Sequence, residues 1–202
     1  MTIAIVIPVK PFAAAKTRLA RALGEGERAA LARSCFDHVL AAARAAQGPF
    51  RVEVHSACRE VLALAGPDGV PEQGEGLNGL LEAARRRSRE RGDAAMIALF
   101  ADLPLLTAGD IEHLAEATLL HGLALAPDRE GTGTNALGLA ATVELPFLFG
   151  PGSRAAFAAA AAARGQPAAL VETPGLACDV DSPADLRFIA SPPDAPPYSG
   201  SA

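Results

Sequence analysis

Three aspartates are the residues whose type and spacing best suit chemistry. Asp102 follows an apolar run, and Asp179 and Asp181 stand two positions apart in a Cys-Asp-Val-Asp-Ser-Pro segment. In an extended chain, residues at i and i+2 project from the same face, and carboxylate oxygens are the ligands that hard divalent cations prefer. The pattern therefore predicts a cation site that Asp179 and Asp181 share, while Asp102 can reach a ligand across a sheet edge.

Each of these carboxylates also has a purely structural interpretation. Asp102 could cap the helix that follows it, although Thr107 is the better N-cap and would leave Asp102 free. Asp181 or Ser182 could do no more than cap a helix that starts at Pro183. The sequence alone leaves both interpretations open.

A basic loop offers a second kind of chemistry. It contains Lys10, Lys16 and Arg18, and the two lysines are the only ones among 18 basic residues. A position that keeps Lys in an arginine-rich chain favours a compact, flexible ammonium over a planar guanidinium. Because the glycines of a backbone phosphate loop are missing, the side chains are predicted to bind phosphate. The alternative is a solvated loop whose cations face water.

The polar segment 128–135 is predicted to be a loop at a strand boundary. Gly131 and Gly133 can turn backbone N–H groups toward an anion, and Thr134 and Asn135 add side-chain donors. We therefore expect an anion site in this loop.

Two further glycine-containing segments each open a predicted helix. Gly150 and Ser153 belong to a Gly-Pro-Gly-Ser segment, where free N–H groups, the helix dipole and the hydroxyl would suit a carboxylate or a phosphate. An ordinary N-cap is the alternative for Ser153. Residues 74–78 form another flexible turn into a helix.

Alternating strands and helices must position these groups. Apolar runs predict strands over 3–9, 51–55, 95–100, 123–126, 136–141 and 168–172, and helical spacing predicts helices over 27–46, 80–91, 108–120 and 153–164. Such alternation is typical of an α/β fold with a doubly wound, mostly parallel sheet, in which ligands bind at the carboxyl ends of the strands. We expect one domain over residues 1–190 and a disordered, Pro-rich tail over 191–202.

Composition excludes several other functions. The net charge of −5 argues against nucleic acid as a partner, and no apolar run is long enough to cross a membrane. We expect a cytoplasmic protein. The three cysteines are too few and too scattered for a disulfide framework or a zinc site. The arginine-rich run over 85–91 is interpreted as a solvated helix face.

Six segments taken together resemble a known family. In chain order they are IPVKPFAAAKTRL, GEGLNGLL, ADLPLLT, DREGTGTNAL, FGPGSRAAF and DVDSPADL, and the resemblance runs from Ile3 to about Ile189. The family is that of the CofC or FbiD guanylyltransferases of deazaflavin coenzyme F-420 biosynthesis, which are related to the molybdenum-cofactor guanylyltransferases.

The resemblance implies a nucleotide-diphospho-sugar transferase type of fold, GTP as the donor and Mg²⁺, with two ions expected. It also implies three sets of site residues. The nucleotide would contact Lys10, Lys16, Arg18, Gly76, Leu77 and Asn78; the metal would contact Asp102, Asp179 and Asp181; the acceptor would contact Thr134, Gly150 and Ser153. Lys10, Lys16, Arg18 and Asp102 are expected to act in the transfer itself.

The implied reaction transfers GMP from GTP to the phosphate of a phosphorylated three-carbon acid and releases pyrophosphate. Phosphoenolpyruvate is slightly favoured over 3-phospho-D-glycerate and 2-phospho-L-lactate. The alternatives are another acceptor, such as molybdopterin or a sugar phosphate, and a nucleotide-binding module without catalysis. Ala13-Ala14-Ala15 stands where the molybdenum relatives have a Gly-rich loop, which argues against molybdopterin. Small molecules are the expected partners, and a homodimer is left open.

Overall fold

The computed structural model describes residues 1–190, so the predicted tail at 191–202 lies outside the described residues. One seven-stranded sheet forms the centre of the molecule, with the strand order β3-β2-β1-β4-β6-β5-β7. The strands are β1 (Ile3–Pro8), β2 (Phe50–Ser56), β3 (Gly69–Pro71), β4 (Ala95–Leu99), β5 (Leu123–Pro127), β6 (Thr134–Ala140) and β7 (Ala169–Leu170).

Helices connect most of these strands. They are α1 (Glu25–Ala45), α2 (Arg59–Ala65), α3 (Gly76–Glu90), α4 (Ala108–His121), α5 (Ser153–Ala162), α6 (Pro174–Ala177) and α7 (Pro183–Ala190). None of the helices within residues 1–190 is long and apolar enough to cross a bilayer.

The alternation of side chains along β1 explains why helices cover both faces of the sheet. Ile3, Ile5 and Ile7 belong to one hydrophobic core, which also contains residues of α1 and α4. Ala4 and Val6 belong to a second core, which contains residues of α3 and α5. A central strand with apolar side chains on both faces needs cover on both. This confirms the predicted doubly wound α/β fold.

One strand runs against the others. β6 is antiparallel to both β4 and β5, whereas β1, β2, β3 and β4 pair in parallel, as do β5 and β7. Residues 128–133 alone connect β5 to β6, and so short a connection has no room for the crossover that parallel strands require. The sheet is therefore mixed, although mostly parallel.

The sequence missed three of the strands and helices named above and misplaced one helix start. α2, β3 and α6 were not predicted, and α3 begins at Gly76 rather than at residue 80. The turn before α3 requires glycine at position 74, where φ is 94° and a Cβ atom would lie 2.4 Å from the Gly79 backbone. This tight turn places Gly76 and Leu77 at the carboxyl edge of the sheet.

The interpretation of residues 85–91 as a solvated face is wrong. Arg87 and Arg91 form salt bridges with Glu53, whose side chain on β2 is 7% exposed. Arg85 and Arg89 donate to backbone carbonyls of Leu145 and Val143. The run is therefore not simply solvated, because two of its arginines pair with a buried acid and two others bond backbone carbonyls.

Candidate active site

The three predicted metal ligands converge. Asp102 lies just beyond β4, and Asp179 and Asp181 lie between α6 and α7; one carboxylate oxygen of each is within 4.8 Å of those of the other two. The N–H of Val180 donates to the Asp102 carbonyl at 3.2 Å. The Val180 side chain is fully buried. Since alternate residues of an extended segment point to opposite faces, burial of Val180 turns both neighbouring aspartates toward Asp102.

Asp179 lies in a position that disfavours a negative charge. Burial, together with the charge of Asp102, raises its pKa to about 6. The Asn135 side chain acts in the opposite direction, because its Nδ2 donates to Asp179 Oδ1 at 3.4 Å. The same nitrogen donates to the carbonyls of Leu176 and Ala177. Asn135, predicted to be an anion donor, thus holds the aspartate segment in place.

Lys16 lies against the cluster. Its side chain is 5% exposed, and Nζ is 2.7 Å from Asp102 Oδ2 and 3.3 Å from Asp181 Oδ1. Burial acts to lower the pKa of Lys16, but the two aspartates outweigh it and raise that pKa above its ordinary value. Lys16 also has a φ of 57°, in the left-handed region, which turns the basic loop back toward the sheet.

The cluster fits a hard divalent cation. Asp102 Oδ1 is buried and has no hydrogen-bond partner among residues 1–190. A buried oxygen that carries negative charge needs a cation or a donor, and a set of carboxylate oxygens alone matches the preference of Mg²⁺ and similar ions.

A first cavity of about 390 Å³ lies on one side of the cluster. The basic loop supplies Lys10 and Lys16 to its lining, and the turn into α3 supplies Gly76 and Leu77. The two lysines and the turn at Gly76 and Leu77 therefore face each other across the first cavity, next to the aspartates.

A second cavity of about 530 Å³ lies on the other side. Its lining includes Thr134, Gly150 and Ser153, together with Asp179. Thr134 Oγ1 is buried without a hydrogen-bond partner in the described part of the chain. The two cavities share four lining residues, which are Leu77, Phe100, Asp102 and Asp181. The cluster thus stands where the two spaces meet.

Arg18 lines a different cavity from the two lysines, although it pairs with Asp181 as Lys16 does. It lines the second cavity, its side chain is 76% exposed, and one guanidinium nitrogen is 3.3 Å from Asp181 Oδ2. The sequence grouped Arg18 with the two lysines because they are close along the chain, where nothing shows that they line different cavities.

The anion site predicted in the segment 128–135 lacks the backbone N–H donors that were expected of it. Asp128 accepts from the N–H groups of Thr132 and Gly133, both at 2.8 Å, and its carbonyl accepts from Gly131 N–H. The acid that begins the loop therefore occupies the donors that an anion would need.

The start of α5 differs in detail from the prediction. Gly152, with φ of 70°, is the N-cap, so Ser153 is the first helical residue and not a capping one. The Ser153 N–H donates to the Gly150 carbonyl and the Arg154 N–H to the Thr132 carbonyl. Two of the N–H groups expected to be free are thus bonded, while the buried Ser153 side chain still lines the cavity.

Asn78 is not among the described residues that line either cavity. Its amide donates to the Phe149 carbonyl at 3.1 Å and accepts from the Phe149 N–H at 3.0 Å. Its neighbours Gly76 and Leu77 do line the first cavity.

Two aromatic residues and one arginine that line the second cavity were not predicted from the sequence. Phe100 and Phe149, with ring centroids 4.9 Å apart, both line the second cavity. Arg129 also lines it, forms a salt bridge with Asp185 at 2.5 Å and lies over the Phe188 ring. The position of Phe100 directly after a buried strand was the available signal.

Comparison with known proteins identifies the family. The family described as "Guanylyl transferase CofC like" matches residues 3–190. The chain belongs to this family. Membership confirms the resemblance found in the sequence and, with it, a guanylyltransferase activity.

Similar proteins carry a more specific name. A phosphoenolpyruvate guanylyltransferase of Sphaerobacter thermophilus is 40% identical over 193 residues, covering 94% of this chain and 93% of that protein. One of Chloroflexus aggregans is 42% identical over 192 residues, covering 92% and 95%.

Solved structures show the same fold at low identity. A putative nucleotide-diphospho-sugar transferase from Desulfovibrio desulfuricans G20 has a TM-score of 0.82 at 16% identity and covers 99% of this chain and 91% of its own. A CMP:2-keto-3-deoxy-manno-octonic acid synthetase complexed with CTP has a TM-score of 0.62 at 13% identity, with 94% and 97% covered. The fold of this CofC-like chain is thus the one expected from its sequence.

Proposed function

We propose that this guanylyltransferase transfers GMP from GTP to the phosphate of phosphoenolpyruvate, releases pyrophosphate, and serves the biosynthesis of coenzyme F-420. One observation carries the proposal: two cavities meet at a cluster of three carboxylates. A donor and an acceptor bound on opposite sides would bring their phosphates together at the cluster. The names of the relatives at 40% and 42% identity support phosphoenolpyruvate as the acceptor.

The first cavity is the proposed site of GTP. Lys10 and Lys16 would bind the triphosphate, and Gly76 and Leu77 would contact the nucleoside. Ammonium groups suit this task because they neutralise phosphate charge without fixing one geometry. Arg18 is reassigned to the acceptor side, since it lines the second cavity beside Asp181.

The second cavity is the proposed site of the acid. Thr134, Gly150 and Ser153 would hold its carboxylate, with Thr134 Oγ1 available as a buried donor. The phosphate of the acid would then point to the shared wall formed by Asp102 and Asp181. This arrangement would place one phosphate oxygen for attack on the α-phosphorus of GTP.

The reaction needs charge neutralisation more than proton transfer. A phosphate oxygen is already an anion, so it attacks without a general base, and no histidine lines either cavity in the described chain. Asp102, Asp179 and Asp181 would hold Mg²⁺, two ions by the family resemblance, which neutralises and aligns the phosphates when bound. Lys16 adds a positive charge at the same place.

Product analysis tests this proposal. The protein is incubated with GTP, MgCl₂ and one acid at a time, and pyrophosphate release and product mass are measured. We expect a guanylylated product from phosphoenolpyruvate and a lower kcat/KM with 3-phospho-D-glycerate and 2-phospho-L-lactate. Turnover of molybdopterin or a sugar phosphate instead would contradict it. A cytoplasmic location and one domain over residues 1–190 stay predictions, and the homodimer stays open.

A further inference from the structure

One face of α3 tethers a neighbouring segment of the chain. The side chains responsible stand at i, i+4, i+7 and i+11, which places them along one stripe of a helix. They are Asn78, Glu82, Arg85 and Arg89. Each forms a hydrogen bond with the backbone of residues 143–149, which we call the tethered segment.

The bonds fall on alternate residues of the tethered segment. From the start of α3 to its end, the backbone partners are Phe149, Phe147, Leu145 and Val143. The side chains of these four residues are buried in the core beneath the helix. The helix stripe therefore acts as a pairing partner for a segment that belongs to no strand of the sheet.

Asn78 makes the bond nearest to the site. It bonds both the N–H and the carbonyl of Phe149, and the Phe149 ring lies 4.9 Å from that of Phe100 and 5.0 Å from that of Phe157. Backbone and ring of Phe149 are thus both held. The next residue is Gly150, which lines the second cavity with Ser153.

We propose that Asn78 is a positioning residue for the acceptor acid: by holding the Phe149 backbone, it sets where Gly150 and Ser153 lie in the second cavity. The inference rests on the proposed function, in which that cavity takes the acid. It differs from the expectation that Asn78 contacts the nucleotide. Nearby residues at the start of α3 then serve the two substrates, with Gly76 at the donor cavity and Asn78 behind the acceptor cavity.

Steady-state kinetics of Asn78→Ala test the proposal. With GTP saturating, the KM for phosphoenolpyruvate should rise roughly tenfold, since two neutral hydrogen bonds that place the acceptor site are lost. With the acid saturating, the KM for GTP should change less than about twofold. Hydrogen exchange at the Phe149 amide should become faster, because that N–H loses its acceptor.

Two further variants control the result. Asn78→Asp keeps an acceptor for the Phe149 N–H and loses the donor to its carbonyl, so its acid KM should lie between wild type and Asn78→Ala; it also serves if Asn78→Ala does not fold. Gln166→Ala removes another side-chain amide that donates to two carbonyls, those of His121 and Pro167, away from both cavities. Its KM values should equal those of wild type.

Three outcomes would overturn the proposal. A rise in the KM for GTP with an unchanged acid KM would make Asn78 a nucleotide contact. A lower melting temperature with both KM values unchanged would make it a purely structural clamp. An equal rise in the KM for GTP and the KM for phosphoenolpyruvate would show that Asn78 does not act on the acceptor site alone. A wild type that transfers GMP to none of the three acids would instead refute the proposed function, and this role with it.

Discussion

Replacing Asp179 by Asn should stabilise the metal-free protein and at the same time weaken its binding of divalent cations. Asp179 Oδ1 accepts from Asn135, a contact that the Asn side chain can keep. What the substitution removes is the negative charge beside Asp102 and Asp181. In the metal-free protein the Asp179 carboxylate is repelled by the other two aspartates, whereas in the metal-bound protein it is a ligand of the cation.

The magnitude follows from the pKa of Asp179. Its rise from 3.8 to about 6 corresponds to at most about 3 kcal/mol of lost stability at pH 8. Asp179 is only partly buried, so solvent screening reduces this to roughly 1 kcal/mol. For a domain of this size, that amounts to about 2–4 °C in Tm.

The sign depends on pH. A carboxyl whose pKa is higher in the fold than in the unfolded chain favours folding when it is protonated, and this contribution is lost as pH rises through about 6. At pH 5 Asp179 is largely protonated in the fold but already ionised in the unfolded chain, so the variant should gain about half of what it gains at pH 8. At pH 8 the gain should be complete.

Calorimetry in EDTA and in MgCl₂, at both pH values, measures these effects. At pH 8, Asp179→Asn should melt higher than wild type in EDTA and should gain less from MgCl₂. Asp37→Asn, which removes an exposed carboxylate on α1, should match wild type in both. A variant that melts lower in EDTA at pH 8, or that gains as much from MgCl₂ as wild type, would refute the reasoning.

Two other predictions concern the acceptor site and the buried acid of β2. Ser153→Ala should lower kcat/KM for phosphoenolpyruvate roughly tenfold to a hundredfold and leave the KM for GTP nearly unchanged, because a hydrogen bond to a charged group is lost; the opposite pattern would exchange the two substrate sites. Glu53→Gln should destabilise the protein by about 3 kcal/mol in denaturant unfolding, since Arg87 and Arg91 lose a buried partner. Burial alone would raise the pKa of Glu53, but hydrogen bonds from His55 and Arg51 and the charge of Arg91 hold it well below 4.5. The ionised Glu53 carboxylate therefore stabilises the fold above pH 4.5, and this stabilisation is lost as pH falls further. Because Glu53→Gln lacks this stabilisation, the variant should begin to unfold at a higher pH than wild type during acid titration. An unchanged midpoint of acid unfolding would contradict the prediction.

Strong local patterns made much of the fold predictable. Ile3–Pro8 is apolar on both faces and could only be a central strand, and Thr107 caps α4 as its sequence indicates. The antiparallel direction of β6 could have been predicted from the short connection of residues 128–133, which has no room for a crossover helix. α2 and β3 are too short to carry a periodic signal.

The candidate site likewise contains residues that were predictable from the sequence and residues that were not. Asp102 was predictable because it follows a strand that ends at the carboxyl edge of the sheet, and Asp179 and Asp181 were predictable because they stand two positions apart in an extended segment. The partners of Asn78 and Asn135 lie 71 and 41 or more positions away. An amide looks the same in sequence whether it faces a ligand or a distant backbone, so only the tertiary structure distinguishes the two.

A crystal structure of the ternary complex tests the central claim most directly. The protein would be crystallised with Mn²⁺, phosphoenolpyruvate and a GTP analogue that carries a methylene bridge between its α- and β-phosphorus atoms. We predict anomalous peaks for the ions among Asp102, Asp179 and Asp181, the nucleotide in the cavity beside Lys10 and Lys16, and the acid beside Thr134 and Ser153. Nucleotide density in the second cavity, or ions bound away from the three aspartates, would contradict the account.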